Sequence, residues 1–235
     1  MLQKLIKRII QKQVWTIKKK SVVQVLTPRC RREDEPEYGR FTTTDIERTI
    51  QQTDSILLEL IPYFKDLPNL GNYMMAYSSM IDLAIYRALL REKVDPGYAT
   101  KLIGDINWQF VLNTGGYYRL KRELIAVKTK DPMERMGIFL GDMLKFPYGK
   151  PGYRAELYKE GNVYHMNFYS CPIYNFYKQF GNEELTLFRK VFCTYDYAAA
   201  ERLVEGGRYQ REHTLSNGDN VCDMRWFIVD TSVCT

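Results

Sequence analysis

The sequence predicts an α+β chain: an N-terminal helical region followed by an antiparallel sheet of two hairpins, with helices packed on one face. Three observations predict it. Apolar residues recur at helical spacing through residue 146. Pro147, Tyr148, Gly149, Pro151 and Gly152 then interrupt the pattern. Beyond them, short alternating stretches flank two compact turns, with helical spacing between the two pairs.

The elements follow in order. Leu2, Leu5, Ile6, Ile9, Ile10, Val14 and Ile17 form a helical stripe, with Lys4, Lys7, Arg8, Lys12 and Lys18 filling the other positions. This basic amphipathic helix, within an arm of residues 1–32, is expected to dock on the body or on a second subunit, which would make a homo-oligomer; a membrane surface is the rarer alternative. Residues 28–41 read as a connector, and Thr43 or Thr44 can cap the next helix. Helices are expected at 44–60, 72–92, 96–112 and 131–144, punctuated by Pro62, Pro68, Gly71, Pro96, Gly115, Gly116 and Pro132. Met74, Met75, Met80, Leu83, Tyr86 and Leu90 are read as core filling.

Strands at 154–159 and 163–169 flank Glu160, Gly161 and Asn162, a hairpin signal. A short helix follows Pro172, Gly181 ends it, and a long helix covers 183–204. Two more strands, 208–215 and 221–229, flank Ser216, Asn217, Gly218 and Asp219. The expected organisation is thus the arm 1–32, a helical region 42–146 and an α+β ligand-binding or catalytic region 150–235, the last two being readable also as one domain.

Composition narrows the function classes. The first 32 residues carry ten of the 34 basic residues and no acid, leaving 24 basic against 28 acidic elsewhere, a net of −4. Local basicity of this kind argues against a nucleic-acid-binding body. No apolar run reaches the length of a membrane span, and the N-terminus lacks the apolar core and cleavage site of a secretory signal, so a cytoplasmic location is expected. The cysteines, Cys30, Cys171, Cys193, Cys222 and Cys234, are odd in number and widely spaced, and read as thiols.

The candidate chemistry lies in residues 163–229. On the expected helix 183–204, Asp196 falls within the stripe Leu185, Phe188, Phe192, Ala199 and Leu203, where a carboxylate must be paired, protonated or facing a cavity. Cys193 stands one turn before it. Alternation places Cys222, Met224 and Trp226 on one face of the last strand and Asp223, Arg225 and Phe227 on the other. Arg211 and His213 share a face of the preceding strand, where Arg211 could grip a carboxylate in a two-pronged contact. His165 and Asn167 face away from Tyr164, Met166 and Phe168. No cofactor is expected. Three Cys with Asp or His are the one set from which zinc ligands could be drawn, and spacings of 22 and 29 residues match no zinc signature. Neither a phosphate-binding glycine motif nor GxSxG occurs.

The ordered pattern of NFYSCPIYNFYKQFG (167–181), FCTYDYAAAE (192–201) and YQREHTLSNGDNVCDMRW (209–226) resembles the L-2-amino-thiazoline-4-carboxylic acid hydrolase family. The matching positions are Cys171, then Cys193 and Asp196, then Arg211, Thr214, Leu215, Gly218, Cys222 and Asp223, with Met224 replacing an aromatic residue. The arrangement is similar also to vinyl-reductase-type ligand-binding domains. The resemblance implies hydrolysis of a cyclic isothiourea carrying a carboxylate, opening the ring toward a carbamoyl amino acid. It implies Cys171, Cys193, Asp196 and Cys222 as catalytic candidates, with Cys193 or Cys222 attacking as thiolate or ordering the attacking water. Asp196 would hold or protonate the amidine nitrogen, and Arg211, His213, Asn167 and Arg225 are substrate-binding candidates. The alternatives are a different small-molecule substrate on the same scaffold, a non-catalytic binding module and a structural subunit.

Overall fold

The computed structural model describes residues 2–229; Cys234 lies outside them. Helix α1 spans Leu2–Leu26, α2 Thr43–Leu60, α3 Leu70–Arg91, α4 Pro96–Thr114, α5 Gly116–Lys128 and α6 Pro132–Met143. Strands β1, Arg154–Glu160, and β2, Val163–Ser170, precede α7, Pro172–Tyr177, α8, Asn182–Val191, and α9, Tyr195–Leu203. Strands β3, Gly207–Gln210, and β4, Cys222–Ile228, complete the order. The fold is α+β, with helices preceding one antiparallel four-stranded sheet in the order β1-β2-β4-β3.

The chain forms two units. The first takes in the described residues of Met1–Asp66 with Tyr73–Gly115 and Phe176–Val191; the second comprises Leu67–Asn72, Gly116–Asn175 and the described residues of Phe192–Thr235.

In the first unit, the apolar character of α3 is explained by burial around most of its circumference: Met80, Ile81, Leu83, Ala84, Ile85, Tyr86, Ala88 and Leu89 are all buried. Helix α1 packs on α4, and its Val14, Val22, Val25 and Leu26 are buried, whereas Leu2, Leu5 and Ile9, the beginning of the same apolar stripe, are exposed. Lys18, placed by periodicity on the polar side, is completely buried. Its Nζ lies 2.6 and 2.8 Å from the two carboxylate oxygens of Asp82 and 3.1 Å from Asn107 Oδ1. An ammonium survives in a core only when its hydrogens are taken up, and these three acceptors do so. The cap of α2 is Thr42, one residue before the expected pair. Thr42 accepts from the Asp45 amide at 3.2 Å and the Asp45 carboxylate accepts from the Thr42 amide at 2.9 Å, a reciprocal capping box.

Three further element assignments are corrected. Gly115 caps the end of α4, as its place among the punctuating residues predicts, but the next residue begins a helix, α5, where none is expected. The expected helix 183–204 is two helices, α8 and α9, separated by residues 192–194. Likewise, the strand expected at 208–215 ends at Gln210, and residues 211–221 form an ordered connection with a short 3-10 turn, Leu215–Asn217.

The core of the second unit lies on one sheet face: Met166, Phe168, Cys222 and Trp226 from the strands pack with Met136 and Leu140 of α6 and with Ala200 and Val204. Gly207 has no room for a Cβ, which would collide with the carbonyl oxygen of Ala200. Its lack of a side chain lets β3 start directly against the last turn of α9. Asn72 fixes the segment entering β1, its Nδ2 donating to Pro147 O at 2.7 Å and its Oδ1 accepting from Gly152 N at 3.0 Å.

Candidate active site

Cys171 stands between β2 and α7. The Pro172 ring suits the first helical turn, where an amide would be unpartnered anyway. Cys171 then occupies the capping position: its carbonyl accepts from Asn175 N at 3.0 Å and its sulfur from Tyr174 N at 3.4 Å. The Tyr153 hydroxyl lies against the same thiol. Burial pushes the Cys171 thiol up to about 12, more than the Tyr174 amide brings it down.

Cys193 lies in the break between α8 and α9. A helix that stops leaves carbonyls unpartnered, and the guanidinium of Arg211 takes one of them, Nη2 donating to Cys193 O at 2.7 Å. Arg211 directly follows β3, and its inward turn explains why that strand ends at Gln210. The Cys193 sulfur lies 3.5 Å from Ser216 Oγ, which in turn is 2.7 Å from Thr214 Oγ1. Cys222 is the first residue of β4, opposite Phe168 of β2. Its buried sulfur accepts from Leu215 N at 3.3 Å, and burial raises the thiol to about 11. The connection 211–221 therefore carries partners for both sulfurs on adjacent residues, Leu215 and Ser216.

Asp196 is in the first turn of α9. It is partly buried and forms no hydrogen bond or ion pair among the described residues. Burial pushes its carboxyl up to about 6, with the nearby Arg211 guanidinium acting in the opposite direction. Cys222 lies within the electrostatic reach of Asp196, Arg211 and Cys193, and Cys171 within that of Cys193 and Cys222. Three thiols, one carboxyl and one guanidinium from five separate segments thus share one neighbourhood of the second unit.

The other candidates are placed elsewhere. Asn167 is paired with Asp223 and His165 with Arg225 across β2 and β4, so these residues occupy the sheet face opposite Cys222. His213 is not on a strand; it is exposed, and its Nδ1 is 3.0 Å from Asp223 Oδ2. Asp223 Oδ1 accepts the amides of Glu212 at 3.0 Å and His213 at 2.6 Å, replacing the ladder bonds that a longer β3 would have made. Arg225 pairs with Glu212 at 2.8 Å. The fold therefore brings Arg211 to the thiols and Asp196, and leaves Asn167, His213 and Arg225 on the far face.

Among the described residues, Glu212, His213 and Asp223 are a group of potential metal ligands whose donor atoms lie within 4.8 Å of one another. Arg225 already supplies that group with positive charge at 2.8 and 3.5 Å. The thiols with Asp196 do not form such a group. A cleft of about 390 Å³ in the same unit lies among α5, α6 and the end of α9, with Arg122, Arg135, Phe139 and Arg202 in its wall, and none of the thiols borders it.

Two buried groups escaped the sequence reading. The Tyr209 hydroxyl and the Trp226 indole nitrogen are enclosed with no hydrogen-bond partner. They are cross-strand neighbours of β3 and β4, with ring centroids 4.8 Å apart. Alternation alone marks them as inward-facing; the missing partners are visible only in three dimensions.

Comparison with curated proteins and with solved structures yields no match. A family comparison does: residues 121–226, the segment holding Cys171, Cys193, Asp196, Arg211 and Cys222, match the model described as L-2-amino-thiazoline-4-carboxylic acid hydrolase, and the resemblance carried by the three motifs extends over that whole segment.

Proposed function

We propose that the chain is a hydrolase that opens a cyclic amidine or isothiourea ring bearing a carboxylate, giving a carbamoyl amino acid, and that Asp196 is its acid–base group. The observation that carries this reading is the position of Asp196: an unpaired, partly buried carboxyl near neutrality, beside a guanidinium and three thiols, inside the segment that matches a hydrolase family.

The electrophile is the ring carbon between sulfur and nitrogen. A carboxyl titrating near 6 is largely ionised at neutral pH, yet basic enough to accept a proton from an attacking water. Cys171 and Cys222, raised to about 12 and 11, remain thiols there and are poor nucleophiles. This favours water attack assisted by Asp196 over attack by either of these sulfurs. Water adds its oxygen to the ring carbon and passes one proton to Asp196. The electron pair of the carbon–nitrogen double bond goes to the ring nitrogen, which takes the second water proton from the new hydroxyl as the carbonyl forms; the carbon–sulfur bond breaks with its electron pair leaving on sulfur, and Asp196 returns its proton there. Arg211, with one donor committed to Cys193 O, has its other N–H groups for the substrate carboxylate. The partner is therefore a small anionic molecule, and no step calls for nucleic acid.

The test is to incubate the full chain with 2-amino-thiazoline-4-carboxylate, hydantoins and related cyclic amidines, and to follow products by mass spectrometry. Addition of one water to a carboxylate-bearing ring, lost in Asp196→Asn, supports the proposal. Ligand binding without turnover supports a non-catalytic module, and turnover undiminished in Asp196→Asn removes Asp196 from the chemistry.

A further inference from the structure

A buried hydroxyl without a hydrogen-bond partner costs about 1–3 kcal/mol, so one retained beside a reaction centre invites a ligand-based explanation. Tyr209 is 5% exposed and its hydroxyl is unpartnered. The ring is fixed on three sides. Tyr197 meets it edge-on at 4.8 Å, Trp226 packs at 4.8 Å and 69°, and the Arg211 guanidinium lies 5.9 Å from the ring centre. Asp196 and Cys222 both lie within electrostatic reach of the phenol. A phenol so enclosed stays protonated, because its anion would be desolvated beside a carboxylate. It is a fixed, neutral donor with nothing to donate to.

We infer that Tyr209 is a substrate-contacting residue whose hydroxyl donates to the oxygen that water adds to the ring carbon. The inference rests on the ring-opening reading of the Asp196 site and assigns that site a third polar role, beside the carboxyl and the guanidinium. The oxygen arrives in the tetrahedral intermediate and persists as the carbonyl oxygen of the carbamoyl product, so the same donor serves both. Asp196 cannot do this as a carboxylate, since it accepts hydrogen bonds, and Arg211 is engaged with Cys193 O and with the substrate's own anion. The substrate class is thereby narrowed to compounds whose attacked carbon becomes a urea or thiocarbamate carbonyl.

Tyr209→Phe removes one oxygen and leaves the packing. Three readouts on the full chain test the role: melting temperature, steady-state kinetics with 2-amino-thiazoline-4-carboxylate, and calorimetric titration with N-carbamoyl-L-alanine, an inert product analogue with the carbonyl already in place. The expected result is a melting temperature equal to or above that of the wild type. kcat falls by roughly 10- to 100-fold with KM little changed, because the contact forms after binding. The product analogue binds roughly 5- to 10-fold more weakly, as for one lost hydrogen bond. Unchanged kcat and unchanged analogue affinity overturn the inference, as does a lowered melting temperature with unchanged kcat, which would mean that the hydroxyl is satisfied within the fold. If the wild type turns over nothing but binds the analogue, and Tyr209→Phe binds it more weakly, the hydrolase reading fails while the Tyr209 contact stands. No binding by either protein overturns both.

Discussion

Replacing Asp196 by Asn tests whether this carboxyl is kept at an energetic disadvantage. The side chain titrates near 6 in the fold against an ordinary value of 3.8. At about 1.4 kcal/mol per pH unit, that difference costs the folded state up to about 3 kcal/mol once the group is ionised. The sign is set by proton binding. Between about 4 and 6 the folded chain holds the proton more tightly than the unfolded chain, so stability falls as pH rises through this window and the cost is complete above it. Asn carries no such cost. Asp196→Asn is therefore expected to be more stable than the wild type at pH 8 by up to about 3 kcal/mol, about half of that at pH 5, and little different near pH 3.5. For a chain of this size, each kcal/mol moves the melting temperature by about 2–4 °C. Calorimetric scans of both proteins at the three pH values provide the measurement, and ring opening by the variant should be lost in the same preparations. A variant that is less stable at pH 8 would refute the reasoning, because the carboxylate would then be held by Arg211 as a stabilising ion pair. A gain independent of pH would also refute it, since it would come from packing and not from ionisation.

Three other expectations concern the framework of each unit. Lys18→Ala strands the Asp82 carboxylate in the core of the first unit, and urea denaturation should show a loss of about 3–5 kcal/mol, much of it recovered when Asp82 is replaced by Leu in a Lys18→Met background. Thr42→Ala removes one half of the capping box of α2 and should lower stability by about 1 kcal/mol in the same assay without changing kcat. Asp223→Ala frees the amides of Glu212 and His213. Since the following residues hold Leu215 and Ser216 against the two sulfurs, hydrogen exchange at residues 211–221 should accelerate and ring opening should slow; protection equal to the wild type would show that Asp223 does not fix the connection.

The legible parts of the fold were those whose ends carry their own chemistry. Pro96 and Pro132 mark helix starts that the structure reproduces within a residue, each capped by the aspartate before it, and Gly161, at φ +55°, marks the first hairpin as expected. The illegible parts were decided at a distance. Nothing local forces Lys18 inward; Asp82 and Asn107, far along the chain, make the position tolerable. Gly115 ends α4 as its punctuating position predicts, whereas α5, which starts at the next residue, is not foreseen. Residues 192–194 contain neither Pro nor Gly, and the break there was missed. The local signal was weak but present: Thr194, a residue type favoured at helix starts, two positions before the acid of the first turn.

That missed break determines how the site is built. On a continuous helix Cys193 would be one turn from Asp196 and its carbonyl would bond within the helix, leaving no acceptor for Arg211. With the helix interrupted, the Cys193 carbonyl receives the guanidinium at 2.7 Å, and Asp196 moves into the first turn of a new helix, where the amide dipoles favour its anion while burial opposes it more strongly. The same interruption lets Arg211 leave the strand, and its departure shortens β3 and frees residues 211–221 to bring Leu215 and Ser216 to the sulfurs of Cys222 and Cys193. One broken helix thus explains the short strand, the inward arginine and the neighbourhood of thiols around a carboxyl. Periodicity could identify the residues involved, but it could not assemble them, because the bond that does so joins two segments that it had assigned to unbroken elements.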